Sequence, residues 1–242
     1  MELRPLKSWT PDERISAVKN IFNTITPHYD LLNRIMSGRR DVAWRKFVVK
    51  RIPVDAKDVL DVATGTGDLA LAIADGAHGV HVTGADFVKK MMELAQSKTQ
   101  NRGFISKIDY VSADATKLPF RTDQFDAATI AFGLRNIPDR LAALREMGRV
   151  VKPGGKVITL EMTFPKNLRL RSFFRWYLNH MIPFVGGLIS GNRSAYRYLP
   201  DSIQDFLTPD QLSALFESAG FKSIRIFPLT FGLTYLHEGI VV

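Results

Sequence analysis

From residue 57 onward the apolar residues of this chain alternate between two periods, and that alternation constrains the fold more than any other feature. Lys57–Val62 is a short apolar run carrying Asp61, and Leu69–Ala74 has a helical pattern stopped by Gly76 and Gly79. Val80–Ala85 is a second run, ending at Asp86, and Val88–Lys98 is helical again. Ile108–Ser112 and Phe125–Ala131 read as third and fourth strands and Leu141–Val151 as a helix; Lys156–Glu161, after the turn Pro153-Gly154-Gly155, reads as a fifth strand. Strands separated by helices of this length build βαβ units, which need a parallel sheet with helices on both faces. Later, Thr208-Pro209-Asp210 opens a helix, Gln211–Ser218, closed by Gly220. Ile224–Pro228 and Leu233–Val241 then read as an antiparallel hairpin at the sheet edge. The expected class is α/β, with a Rossmann-like, seven-stranded, mostly parallel sheet.

Two segments depart from this alternation. Residues 1–52 read as helical. Thr10, Pro11 and Glu13 have the spacing of a helix start, and Ile15, Val18, Phe22 and Ile25 follow at helical intervals. Ser37-Gly38 breaks the pattern, and a basic stretch runs from Arg39 to Arg51. Met162–Pro200 contains no Asp or Glu, yet carries Lys166, Arg169, Arg171, Arg175, Arg193 and Arg197. Aromatic and aliphatic residues lie between them (Leu170, Phe173, Phe174, Trp176, Tyr177, Leu178, Met181), with Arg171, Arg175 and Asn179 on one helical face. An amphipathic, basic, aromatic-rich helix has the pattern of an element lying on an anionic membrane surface; its plain alternative is a packed cap with solvated arginines. The expected organisation is one domain in four parts: a helical lid (1–52), a ligand-binding core (53–162), a helical insert (163–207), and a last helix with a strand hairpin (208–242). At 242 residues the chain is within reach of a single domain.

The loop Asp61-Val-Ala-Thr-Gly65-Thr66-Gly67-Asp68 lies between a strand and a helix, where glycines let a ligand approach the backbone and the helix offers free N–H groups. With Ala70 its spacing matches the dinucleotide fingerprint, a weak signal alone. Asp86, ending the next strand, is placed to take the hydroxyls of a ribose, which NAD and S-adenosylmethionine (SAM) both contain. Charge separates the two. A pyrophosphate here would face Asp61 and Asp68, and like charges at about 4 Å cost about 4 kcal/mol at an effective dielectric near 20. SAM has no phosphate and carries a sulfonium and an ammonium. Either acid has a plainer role: Asp68 as a first-turn helix acid, Asp61 as an anchor for the loop. Asp114, ending the third strand, is placed to accept from an adenine amino group.

Composition removes several classes. There is no cysteine, hence no disulfide, thiolate metal site or cysteine nucleophile, and no metal is expected. The formal charge of +9 favours an anionic partner. An RNA methyltransferase is the first rival that this charge raises, but no Asn-Pro-Pro-aromatic tetrad for a flipped base is present. MELRPLKSWTPDER has no apolar leader, and the longest nearly apolar stretch, Met181–Ile189, is too short to cross a bilayer.

The residues now on the page resemble a class I SAM-dependent methyltransferase: Asp61–Asp68, Asp86, Asp114-Ala115, Phe125–Ala131 and Val150–Lys156. A narrower resemblance, to the quinone C-methyltransferases, covers nearly the whole chain. It rests on Phe22, His28-Tyr29-Asp30, Asn33, Ser37-Gly38, Trp44-Arg45, Gly65–Asp68, Leu118-Pro119-Phe120, Phe132-Gly133-Leu134-Arg135-Asn136, and Tyr196, Tyr198-Leu199-Pro200, Ser202-Ile203. Ala131 departs from the serine of some relatives. The resemblance implies SAM-dependent methylation of a ring carbon of demethylmenaquinol, with a ubiquinone precursor left open. It places Asp61, Gly65, Thr66, Gly67, Asp86, Phe87, Asp114, Ala115 and Ala131 around SAM. Arg135 would stabilise a phenolate oxygen or hold a water, Asn136 would orient a ring oxygen, and Tyr29 would close over the ring; His28 is the weaker candidate for a base. The implied partners are a prenylated quinol and an anionic membrane, with no nucleic acid. The implied location is the cytoplasm, against the inner face of the membrane. Oligomeric state, homodimer included, stays open, as does another SAM-dependent methyltransferase activity.

Overall fold

The computed structural model describes residues 9–165, 167–190 and 193–242, with the side chains of 188–197 outside that description. Thr10 caps α1 (Pro11–Ile25) as expected: its hydroxyl accepts from the Glu13 amide and the Glu13 carboxylate accepts from the Thr10 amide. A 3-10 turn, Thr26–His28, leads into α2 (Tyr29–Met36). Gly38 and Arg39, both with left-handed φ, reverse the chain into α3 (Arg40–Val49).

The alternation follows: β1 (Asp58–Val62), α4 (Asp68–Gly76), β2 (His81–Asp86), α5 (Lys89–Asn101), β3 (Ile108–Ser112) and β4 (Phe125–Ala131). After a 3-10 turn at Leu134–Asn136 come α6 (Arg140–Val150) and β5 (Val151–Met162), a strand that begins before the Pro153-Gly154 turn. The insert comprises α7 (Leu168–Trp176), a π-helical stretch at Tyr177–Met181, α8 (Ile182–Ser190) and α9 (Arg193–Gln204). The chain continues through α10 (Pro209–Ser218), β6 (Lys222–Leu229), a 3-10 turn at Thr230–Gly232 and β7 (Thr234–Ile240).

The described residues form one sheet of seven strands in the order β3-β2-β1-β4-β5-β7-β6. Strands β1 to β5 run parallel, and β7 inserts antiparallel between β5 and β6. The hairpin is thus at the edge as expected, with its later strand on the inside. Winding reverses between β1 and β4, where open α/β sheets leave a crevice at the carboxyl ends of the strands.

Apolar burial on both faces holds the sheet. Trp44, Val48, Leu69, Leu71 and Ile73 of α3 and α4 pack on one face; Leu144, Met147, Leu212 and Phe216 of α6 and α10 pack on the other. A third cluster joins the lid to the insert: Ile25 and Leu32 against Phe174, Leu178, Ile182 and Ile203. Among the described residues no helix is long and apolar enough to cross a membrane. Lys166 lies outside the described residues, as do the side chains of Arg193, Tyr196 and Arg197.

Candidate active site

The β1–α4 loop turns on two glycines in the left-handed region, Gly65 (φ 57°) and Gly67 (φ 75°). At Gly67 a Cβ would stand 2.6 Å from the Tyr110 hydroxyl and 3.0 Å from the Ala95 methyl, so only glycine fits. Above the loop a cavity of about 240 Å³ opens over the carboxyl ends of β1, β2 and β4. Of the expected site residues, Tyr29, Gly65, Asp86, Phe87, Asp114, Ala115, Ala131 and Asn136 line it, with Ile15, Phe22, Met91 and Leu118.

Its charge is one-sided. Asp86, Asp114 and Asp139 are among its lining residues, and no Lys, Arg or His is. Asp86 is buried; its carboxylate accepts from the amides of Gly65 and Val88, both at 2.8 Å. Burial raises its pKa while these amides and that of Phe87 pull the other way. A carboxylate has about four acceptor sites, so a ribose diol still finds room there. Asp114 is exposed, with Oδ1 held by the Thr116 amide and hydroxyl. The donor set fits SAM: acids for an adenosine edge and for positive charge, and no cation for a pyrophosphate.

Asp61, Thr66, Gly67 and Arg135 do not line this cavity. Asp61 lies beneath the loop, where its carboxylate accepts from the hydroxyls of Thr64 (2.7 Å) and Thr129 (2.9 Å), and burial pushes its pKa up to about 6. Asp68, expected to repel an anion, is instead neutralised. It binds Lys98 at 2.6 Å and Arg34 at 2.8 Å, with Arg45 at 3.6 Å. Burial alone would raise its pKa, but Arg45, Lys98 and Arg34 draw it down to about 2. The same cations hold two further acids. Asp41 binds Arg45 at 2.5 Å and also Arg34, and Asp30 binds Lys98 at 2.6 Å while accepting from the Thr66 hydroxyl at 2.6 Å. Three acids and three cations thus fasten the lid to the glycine loop.

Beyond β4, Phe132 takes a left-handed φ of 58°, strain of about 1–3 kcal/mol that is characteristic of functional sites. The next turn carries Arg135, buried and bound by Glu161 at both ends: Oε2 accepts from the guanidinium at 2.8 Å and Oε1 from the Arg135 amide at 3.1 Å. Asp139 is otherwise engaged, capping α6, and Glu146 pairs with Arg149. Burial alone would lower the Arg135 pKa, but Glu161 raises it above the usual guanidinium value. Its Nε is buried without a hydrogen-bond partner. Asn136 accepts from the Tyr198 hydroxyl at 3.0 Å while its amide nitrogen donates to the Phe132 carbonyl at 3.4 Å, which leaves one N–H as a donor. Arg135 and Tyr29 also line two smaller cavities, of about 40 and 60 Å³, whose walls mix apolar residues of the lid and insert with polar ones, Asn33 in both and Asp41 and Arg45 in the second. Tyr29 therefore borders all three cavities. Burial raises its phenol pKa, against the pull of Asn33, Arg135 and Arg45. His28 lines none of the three.

Glu161, Tyr198 and Arg45 were not singled out as functional side chains. A carboxylate ending the apolar run Val157–Leu160 was the available sign for Glu161; the roles of Tyr198 and Arg45 depend on contacts distant in sequence.

A glycine loop after the first strand, an acid ending the second and an antiparallel seventh strand define the class I SAM-dependent methyltransferase fold. A SAM-dependent methyltransferase from Aquifex aeolicus shares it, with a TM-score of 0.61 over 82% of this chain and 89% of that one, at 17% identity. The sequence pattern of the ubiE/COQ5 methyltransferase family matches residues 10–241, and the chain belongs to that family. It is 46% identical to a demethylmenaquinone methyltransferase of Thermus thermophilus, over 90% of this chain and 99% of the relative. It is 41% identical to a ubiquinone/menaquinone biosynthesis C-methyltransferase UbiE of Geotalea daltonii, over 94% and 97% of the two chains.

Proposed function

We propose that the protein methylates a ring carbon of a prenylated hydroquinone, converting demethylmenaquinol to menaquinol with SAM as donor. The observation that carries this reading is the junction at Tyr29 and Asn136. Tyr29 lines the acid-lined cavity over the strand ends and both smaller, largely apolar cavities that carry the buried cation of Arg135, and Asn136 lines the first and one of the smaller two.

SAM, when bound, supplies an electrophilic methyl group. Gly65, Asp86, Phe87, Asp114, Ala115 and Ala131, which line the larger cavity, would hold its adenosine end. Arg135, kept protonated by Glu161, offers a fixed positive charge to a quinol oxygen and so favours the phenolate, whose ring carbon is the better nucleophile. A guanidinium whose pKa is raised does not accept the phenolic proton itself. Asn136, its carbonyl occupied by Tyr198 and one N–H by the Phe132 carbonyl, presents its remaining N–H to a ring oxygen. Tyr29 closes over the ring, and in-line placement of the reacting atoms contributes several kcal/mol more.

The substrate also accounts for the insert. Phe173, Trp176, Met181 and Phe184 are exposed beside the exposed Arg169, Arg171 and Arg175, a surface suited to an anionic membrane that holds the quinol. The test is turnover with SAM carrying a labelled methyl group, against demethylmenaquinol and the ubiquinone precursor in parallel. Label in menaquinol is the expected result; label in neither product, with SAM binding intact, overturns the substrate class.

A further inference from the structure

The cavity of about 60 Å³ beside Arg135 has an apolar wall that ring methylation leaves unused. Its polar lining is Arg135, Arg45, Asp41, Asn33, Ser37 and Tyr29, and its apolar lining includes Phe174, Tyr177, Leu178 and Ile182 of the insert with Met36 of α2. That volume holds a handful of water molecules, at about 10–15 Å³ of accessible space each, far too little to enclose a polyprenyl chain. A tailed ligand whose head sits at Arg135 must therefore extend through a wall.

Three observations choose the wall. The insert helix turns π-helical at Tyr177–Met181, an irregularity that tends to mark functional sites. The Tyr177 phenol donates to the Met36 carbonyl at 2.9 Å, a side-chain bond spanning the seam between α2 and this stretch. Outside the seam, Leu31 and Ile35 on α2 face solvent, as do Phe173, Trp176, Met181 and Phe184 on the insert, each 38–62% exposed. A polar end that carries the Glu161-paired cation of Arg135, an apolar passage and an apolar rim are together complementary to one molecule with an oxygen-bearing head and a long hydrocarbon tail.

We infer that the Met36–Tyr177 seam is the passage through which the polyprenyl tail leaves the protein, with the Tyr177 hydrogen bond as its latch. The inference rests on the proposed quinol substrate. The sequence contains no cysteine, so Met36→Cys introduces one half-buried thiol at the seam. The same folded variant is then assayed before and after alkylation by N-ethylmaleimide, with demethylmenaquinols bearing one isoprene unit or a long tail. Alkylation is expected to lower kcat/KM for the long-tailed quinol at least about tenfold, and for the short one less than about twofold, because only the long tail loses its apolar contacts. Tyr177→Phe, which removes the latch and keeps the ring, is expected to raise the long-to-short ratio of kcat/KM by about two- to fivefold. An unchanged ratio in both experiments overturns the passage. Failure of the unmodified protein on both quinols, with SAM binding intact, instead overturns the substrate reading.

Discussion

Arg135 holds a positive charge where little water reaches it, and Glu161 both balances and aims that charge. Arg135→Ala removes the cation facing the quinol, and losing one stabiliser of a developing oxyanion costs about 100–1000-fold in rate. SAM affinity should change little, because Arg135 does not line the larger cavity; single-turnover rates and calorimetry measure the two separately. The variant also strands the Glu161 carboxylate, so adding Glu161→Gln should restore melting temperature without restoring turnover. Asp61 gives a second prediction, in pH. Its pKa is about 6 in the folded protein against an ordinary 3.8. Between these values the folded chain keeps a proton that the unfolded chain has released. The contribution of Asp61 to stability therefore falls as pH rises from 3.8 to about 6, and stays low above that. Asp61→Asn, which does not ionise, should flatten melting curves across this window and gain about 1–2 kcal/mol near neutral pH, less whatever Thr64 and Thr129 lose as donors.

Among the elements, α2 and α3 are tied to the core by charge as much as by packing. Lys98 on α5 bridges Asp30 of α2 and Asp68 of α4, and Asp30 also receives the Thr66 hydroxyl of the glycine loop. Lys98→Met leaves Asp30 without its cation and Asp41 and Asp68 sharing Arg34 and Arg45, at an expected cost of about 1–3 kcal/mol for partly buried carboxylates. Hydrogen exchange should quicken over residues 26–49 while β1 and β4 keep their protection; equal loosening everywhere would count against a local fastening. This network also marks the limit of what the sequence discloses. The strand ends at Asp86 and Ala131 were legible because a short apolar run stops there, which locates the end of a strand to within a residue or so. Thr10 and Thr208 were legible because a cap is a local motif, and both form capping boxes. Asp68 is the first-turn helix acid its position allows, but its pairing was not legible, because its partners lie 23–34 positions away and nothing local tells a free acid from a paired one. The Tyr177–Met181 π-turn has no comparable local signature.

Taken whole, the molecule carries a formal charge of +9, with six cations and no acid between residues 162 and 200. Arg171 and Arg175 lie 5.7 and 5.8 Å from the Phe164 ring yet remain exposed, free to meet lipid headgroups. Changing Arg169, Arg171 and Arg175 to Gln should weaken co-sedimentation with anionic vesicles by roughly 1 kcal/mol for each residue, and salt should weaken the wild type in the same direction. Equal partitioning of both proteins would favour the packed-cap alternative. The strand order carries a further consequence, for the protein's birth. Strand β5 leaves the ribosome with β4 already beside it, but its other neighbour, β7, is made only after residues 163–233. At about 5–20 residues per second, Val157, Ile158 and Leu160 lie along an unpaired margin for several seconds of synthesis. During that interval a chaperone, or a second nascent copy, would find the margin open.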